Sequence, residues 1–175
     1  MFYDLTGEIT LGMTEEEFLK ADKDQKIVEI WNNVFMEYEK KDGKVIGKLK
    51  SKNVDTGSGL ERVTAVLQGK NNVFETDLFL PIIEEIRKNS KKESTEAERV
   101  VADHLRAATF LIADGVKPDK NERNYVVRRL LRLATTADYL FLSGILNKNF
   151  FLPPLEKIFE TYGTIYLNLI NKVRE

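Results

Sequence analysis

The sequence predicts an α+β chain, a partial antiparallel sheet with accompanying helices followed by an all-helical region. Three observations carry this. Ile27 to Glu39 is rich in β-branched and aromatic residues, a composition that suits a pleated strand. Asp42-Gly43 follows it and reads as a hairpin turn. From Thr76 onward apolar residues recur at helical rather than alternate spacing. A boundary expected at residues 70–76 divides the chain into domains 1–74 and 75–175.

The elements follow in order. Thr14-Glu15-Glu16-Glu17 is a capping-box start, predicting a short helix through about Asp22. Ile27 to Glu39 is expected as one long strand, with Val28, Ile30, Asn32, Val34 and Met36 on one face because side chains alternate. A return strand is expected from about Lys44 to Val54. Asn53-Val54-Asp55-Thr56-Gly57-Ser58-Gly59-Leu60-Glu61-Arg62 then reads as a strand end, a two-glycine turn and the first turn of a helix ending at Gln68-Gly69. Asn71-Asn72 marks a loop. Thr76 to Lys88 carries Leu78, Phe79, Ile82, Ile83 and Ile86 as a helical stripe. Asn89 to Ser94 is a polar joint. Thr95-Glu96-Ala97-Glu98 is expected to cap a helix that Gly115 ends. Pro118-Asp119-Lys120-Asn121 starts a long helix reaching about Ser143-Gly144, and Pro153-Pro154 opens the last, with Gly163 a candidate break.

Composition sets bounds. The 175 residues suffice for one domain or two small ones. With 27 Lys+Arg against 28 Asp+Glu, the net charge of -1 makes no overall case for nucleic acid or membrane, so any basic footprint must be local. Absence of cysteine excludes disulfides and thiolate metal sites and suits a reducing compartment. His104 is the only histidine, so a multi-histidine metal site within this chain is excluded and no zinc site is expected. No apolar run approaches the roughly 20 residues of a membrane span. Met1-Phe2-Tyr3-Asp4 shows no basic leader before an apolar core, so no secretory signal is expected and the location expected is cytoplasmic.

Three groups of residues could carry chemistry. Asn32 and Val34 point the same way and could floor a small ligand with a polar end and a methyl-sized end. The plainer alternative is an amide satisfied within the sheet. At the glycine turn, Asp55 could pair with an ammonium group, while Gly57 and Gly59 remove Cβ atoms from a ligand's path. Arg62, in the helix's first turn, opposes the helix dipole unless an anion lies nearby. The alternative is an Asp N-cap, a glycine turn and a surface Arg. Asp55-Thr56-Gly57-Ser58 also matches the local pattern of aspartic proteases; one copy would require a homodimer and an all-β chain, against the helical pattern that follows. The third group is basic: Lys117 to Arg132 holds six Lys or Arg against Asp119 and Glu122, a net +4. Arg128 and Arg132 are i, i+4 neighbours and Arg129 is adjacent, an arrangement that can neutralise phosphates. The alternative is a solvated face paired with acidic neighbours. His104, beside Asp103 and near Arg106, reads as a structural histidine rather than a general base. No nucleophile–base–orienter set is visible, so covalent catalysis has little support.

Three stretches in order resemble alanyl-tRNA synthetase: Val28-Glu29-Ile30-Trp31-Asn32-Asn33-Val34-Phe35-Met36, then Val54-Asp55-Thr56-Gly57-Ser58-Gly59-Leu60-Glu61-Arg62, then Arg99-Val100-Val101-Ala102-Asp103-His104-Leu105-Arg106 running on through Phe110 to Gly115 and Tyr125 to Arg129. The likeness covers about Phe2 to Ala134. It implies a class II synthetase catalytic fold followed by a helical tRNA-recognition domain, with the glycine turn as motif 3. By that match Asp55 would bind the α-ammonium of alanine and Asn32 its carboxylate, with Val34 and Gly57 bordering the methyl pocket. Gly57, Gly59 and Arg62 would bind ATP, Arg62 lying against the adenine and reaching the terminal phosphate. Arg123, Tyr125, Arg128, Arg129 and Arg132 would face tRNA-Ala. The resemblance implies a reaction in which alanine's carboxylate attacks the α-phosphate of ATP to make alanyl-adenylate, and the tRNA's terminal ribose hydroxyl then takes the alanyl group. Catalysis in such a family would be by positioning and electrostatic stabilisation, with ATP-associated Mg2+ neutralising phosphate charge. The resemblance implies that motifs 1 and 2 would precede Phe2. The chain is therefore expected to be a piece of a larger enzyme or one subunit of a split one, with a separate N-terminal catalytic fragment as partner. The rival expectation is a non-catalytic RNA-binding or partner module. The family's usual Pro-Ser-Asn-Glu-x-Arg-Gly-Tyr-Val is Pro118-Asp119-Lys120-Asn121-Glu122-Arg123-Asn124-Tyr125-Val126 here, and an arginine pair is Arg132-Leu133.

Overall fold

The computed structural model describes residues 1–7, 9, 12–24, 26–144, 148–167, 169 and 171; the end of the expected helical domain, 172–175, lies outside them. The architecture is α+β. The chain divides into two compact units, Met1–Thr76 and Asp77–Glu175.

In the first unit, β1 (Phe2–Asp4) pairs antiparallel with β2 (Ile27–Glu29), Tyr3 opposite Val28. Between them runs α1 (Glu15–Lys23). Its capping box is complete: the Glu17 carboxylate accepts from the Thr14 N–H at 2.8 Å and the Glu17 N–H donates to Thr14 Oγ1 at 3.3 Å. Phe18 of α1 meets the Phe2 ring edge-on at 4.8 Å. The strand expected to run unbroken from Ile27 to Glu39 is two strands. At Ile30 the backbone changes partner, its N–H donating to the Met1 carbonyl at 3.1 Å, and β3 (Trp31–Lys41) pairs with β4 (Lys44–Ser58) instead. Residue alternation is the same on both sides of such a break, so periodicity cannot register it. Val28 thus belongs to one sheet and Asn32 to another.

The β3–β4 ribbon turns at Asp42-Gly43, where both residues have positive φ (49° and 81°), as a tight right-twisting hairpin requires. β4 does not stop at Val54. It runs on through Ser58, because Asn32, Asn33 and Val34 offer backbone partners to Gly57, Thr56 and Asp55. The turn-like letters Asp-Thr-Gly-Ser are therefore ladder, and the two-glycine turn contracts to Gly59, the N-cap of α2 (Leu60–Leu67). This also removes the reading of Asp55 as an N-cap.

The second unit is helical. α3 spans Leu80–Asn89, α4 Thr95–Ala113, α5 Glu122–Ala137 and α6 Leu152–Tyr162. α3 starts later than the apolar stripe suggested, since Leu78 and Phe79 lie outside it and Pro81 occupies its first turn, where the missing N–H costs nothing. The stripe is nonetheless core: Phe79, Ile82, Ile83 and Ile86 are buried. Ser94, not Thr95, caps α4, its Oγ accepting from the Ala97 N–H at 3.4 Å. α4 packs against α5, and Val101, Leu105 and Ala108 of α4 and Val127, Ala134 and Ala137 of α5 are buried. The long helix from Pro118 relaxes at Asp138–Leu142 into a π-turn, closed by the Ser143 N–H on the Asp138 carbonyl at 2.9 Å. Arg106 ties three elements together. Its guanidinium lies 4.3 Å over the Phe79 ring and donates to Tyr162 Oη at 2.8 Å, and that hydroxyl donates to the Leu78 carbonyl.

Candidate functional site

The ribbon's register builds the first site. Asn32 lies opposite Gly57 and Val34 opposite Asp55. Directly opposed residues of antiparallel strands share a face, so Asn32, Val34 and Asp55 project from one side of the ribbon, all exposed. Across from Asn32, Gly57 leaves that side open: a Cβ built there would meet nothing within 4 Å. The other side is closed by its own hydrogen bonds. Trp31 Nε1 donates to Thr56 Oγ1 at 2.8 Å and to Asn33 Oδ1 at 2.9 Å, and Thr56 Oγ1 donates to Asn33 Oδ1 at 2.7 Å. One face is thus satisfied internally, while the Asn32–Asp55 face is exposed. Trp31, Asn33 and Thr56 carry no recognisable motif; only the pairing of Asn33 with Thr56 across the ribbon, with Trp31 two residues before Asn33, marks them as a set.

Arg62 enters at the ribbon's end. Gly59 has no side-chain cap for α2, so the first-turn amides stay open to an anion. Its missing Cβ also gives Arg62 room, since a Cβ would approach Arg62 Cδ at 3.3 Å. Arg62 Nη1 donates to the Glu29 carbonyl at 3.0 Å. A cleft of about 270 Å3 results, lined by Asn32, Gly57, Gly59 and Arg62 with Trp31 and Ile30. Of the sequence-predicted residues, these four share one cleft, while Val34 and Asp55 sit one pair further along the same ribbon face. Among the described residues no group of three or more acidic or imidazole side chains could hold a metal ion.

The second site lies on α5. At 3.6 residues per turn, Tyr125, Arg128, Arg129 and Arg132 fall within an arc of about 100° opposite Val127 and Ala134. All four are exposed, whereas Val127 and Ala134 are buried. Arg123 departs from the group. It is exposed in the first turn, but its helical angle lies near that of Val127. Among the described residues none of these arginines forms an ion pair, so the alternative of a face neutralised by acidic neighbours does not describe them. Beside them is a groove of about 380 Å3 lined by Arg128, Leu131, Arg132, Thr136, Tyr139 and Leu140. No motif announces it, since Tyr139 and Leu140 belong to the π-turn Asp138–Leu142. His104, on α4, pairs locally, Nδ1 to Asp103 Oδ2 at 2.9 Å.

The model of the family "tRNA synthetases class II (A)" matches residues 1–175. The chain belongs to this family. Among relatives of this class II synthetase chain is an alanine–tRNA ligase of Campylobacter jejuni subsp. jejuni serotype O:23/36 (strain 81-176), 46% identical over 144 residues, covering 80% of the chain and 17% of the relative. An alanine–tRNA ligase of Fervidobacterium nodosum is 37% identical over 178 residues, covering 98% and 20%. One of Campylobacter jejuni (strain RM1221) is 47% identical over 131 residues, covering 73% and 15%. The class II chain therefore spans between 15% and 20% of the length of these relatives. An all-β aspartic protease is excluded: Gly57 is a ladder residue and α2 follows directly.

Proposed function

We propose that this chain contributes part of the alanine- and ATP-binding site and part of the tRNA surface of an alanine–tRNA ligase, working in the cytoplasm. The observation that carries this reading is the register of the ribbon, with Val34 and Asp55 paired next to Asn32 and Gly57. An exposed carboxylate suits alanine's ammonium and an amide its carboxylate, with a small apolar group and a glycine around the methyl. Beside them Arg62 and the uncapped N-terminus of α2 suit ATP's phosphates. Mg2+ would arrive with those phosphates rather than on a carboxylate cluster of this chain. The ribbon exposes Phe35, Val45, Ile46 and Val54, apolar surface that a further catalytic segment would cover. In the helical unit, Arg123, Tyr125, Arg128, Arg129 and Arg132 would contact tRNA-Ala. A second reading, an RNA-binding module without catalysis, is favoured by the unpaired arginines of α5.

Alanine-dependent ATP–pyrophosphate exchange separates the two. Exchange by the chain, alone or supplied with the further catalytic segment, is the outcome expected of the ligase, and its absence in both cases would leave the binding module. In protein that exchanges, Asp55→Ala should raise the alanine requirement about ten- to hundredfold, the cost of a lost charge-assisted hydrogen bond, and leave the ATP requirement nearly unchanged. Equal losses for both substrates would remove Asp55 from the alanine site.

A further inference from the structure

The groove at the end of α5 has a chemistry that a duplex backbone does not need. Phosphates of a stacked helix require exposed cations, and Arg128, Arg129 and Arg132 supply them. They do not require an apolar concavity. Yet a hollow of about 380 Å3 that Arg128 and Arg132 help to line is also lined by Leu131, Tyr139 and Leu140. Tyr139 is 45% exposed and Leu140 52%. Both belong to the π-turn Asp138–Leu142. The two threonines of the wall differ. Thr135 Oγ1 is engaged, donating to the Leu131 carbonyl at 2.8 Å, whereas Thr136, exposed, has no such bond among the described residues.

We infer that this groove holds one unstacked nucleotide of the bound RNA. Its base would lie on the Tyr139 ring, its phosphate would pair with the Arg128 and Arg132 guanidiniums, and the Thr136 hydroxyl would meet the base edge. An aromatic face beside cations is the arrangement by which proteins take up single-stranded nucleotides, and the volume falls in the range of small-ligand clefts. The inference rests on the reading of α5 as an RNA-binding face and adds to it: the arginines set affinity, and the groove selects RNA that has an unpaired nucleotide next to its stem.

The test compares two RNA hairpins with the same stem, one blunt and one with a short single-stranded 3′ extension, binding to the whole chain by fluorescence anisotropy. The extended hairpin should bind about tenfold more tightly, the scale of one base–aromatic stack. Tyr139→Ala should abolish that preference, and Tyr139→Phe, which keeps the ring, should retain it. Circular dichroism checks that both variants fold, as expected for a half-exposed side chain. Equal wild-type binding of the two hairpins, or a preference that survives Tyr139→Ala, would overturn the nucleotide site while leaving the basic face intact. Failure of both hairpins to bind would remove the basic-face reading and this inference with it.

Discussion

Asp138 is the residue whose surroundings fit its chemistry least. It is 1% exposed at the start of the π-turn, and its Oδ1 has no hydrogen-bond partner among the described residues. Burial pushes its carboxyl above the ordinary carboxylate range, opposed only in part by hydrogen bonds from Ser143. The consequence for stability has a definite sign. A carboxyl whose folded pKa exceeds its unfolded value favours the fold most below the unfolded value, near pH 4, and that contribution is lost as pH rises through the folded pKa. Asp138→Asn removes the titration. The variant should unfold at a higher temperature than the parent at pH 7, with the difference shrinking as pH falls toward 4, measured by circular dichroism. A gap independent of pH would show that the charge of Asp138 is not what burial penalises. Nothing in the sequence marked this residue, because a lone aspartate in a helical stretch carries no trace of its burial. Asp55, Asn32 and Arg62 were legible for the opposite reason: the residue types and their order constrain one another across the hairpin, whatever the details of packing.

At the scale of elements, composition identified the helices better than their starts and the strands better than their partners. The break at Ile30 and the extension of β4 to Ser58 both follow from which backbone lies alongside, a fact that strand propensity does not encode. The helices carried more of their own instructions. Thr14 and Glu17 close the box that starts α1, and Gly115, at φ 86°, ends the α4 segment in a conformation that side chains resist. What joins the helices was not legible. Glu98 of α4 is 1% exposed and accepts from Arg87 of α3 at 2.7 Å and 3.3 Å. The two residues are 11 apart with no pattern linking them. The Arg87 side chain is half exposed, so much of the pair's strength is the avoided cost of an unpartnered buried carboxylate. Arg87→Ala should therefore destabilise the fold by about 1–3 kcal/mol, seen as a lower midpoint in urea. Adding Glu98→Gln should recover part of the loss, since the neutral amide is cheaper to leave unpaired. A single-variant cost within what exposed pairs are worth, roughly 0–1 kcal/mol, would make this contact a surface pair.

For the whole molecule, net charge and local charge point in different directions, and binding separates them. With a net charge of -1, the chain as a whole exerts little pull on a polyanion, so whatever affinity it has for RNA must come from where its cations gather. The sequence showed that gathering between Lys117 and Arg132. It did not show that Arg128, Arg129 and Arg132 would lack acidic partners, since an acidic residue from any other helix could have answered them. A cation already paired within the protein displaces no counterion when it meets a phosphate, whereas an unpaired one does. Each phosphate neutralised by these arginines should therefore appear in the salt dependence of binding, as a slope of log affinity against log salt of about 0.7–0.9 per contact. Arg128→Ala and Arg129→Ala should each flatten that slope by about one and weaken binding alike for RNAs of different sequence. Both side chains are exposed, so the fold should be unaffected. Titration of the whole chain with one RNA hairpin at several salt concentrations measures this, and a slope unchanged in both variants would mean that α5 meets its RNA by some route other than phosphate pairing at these two arginines.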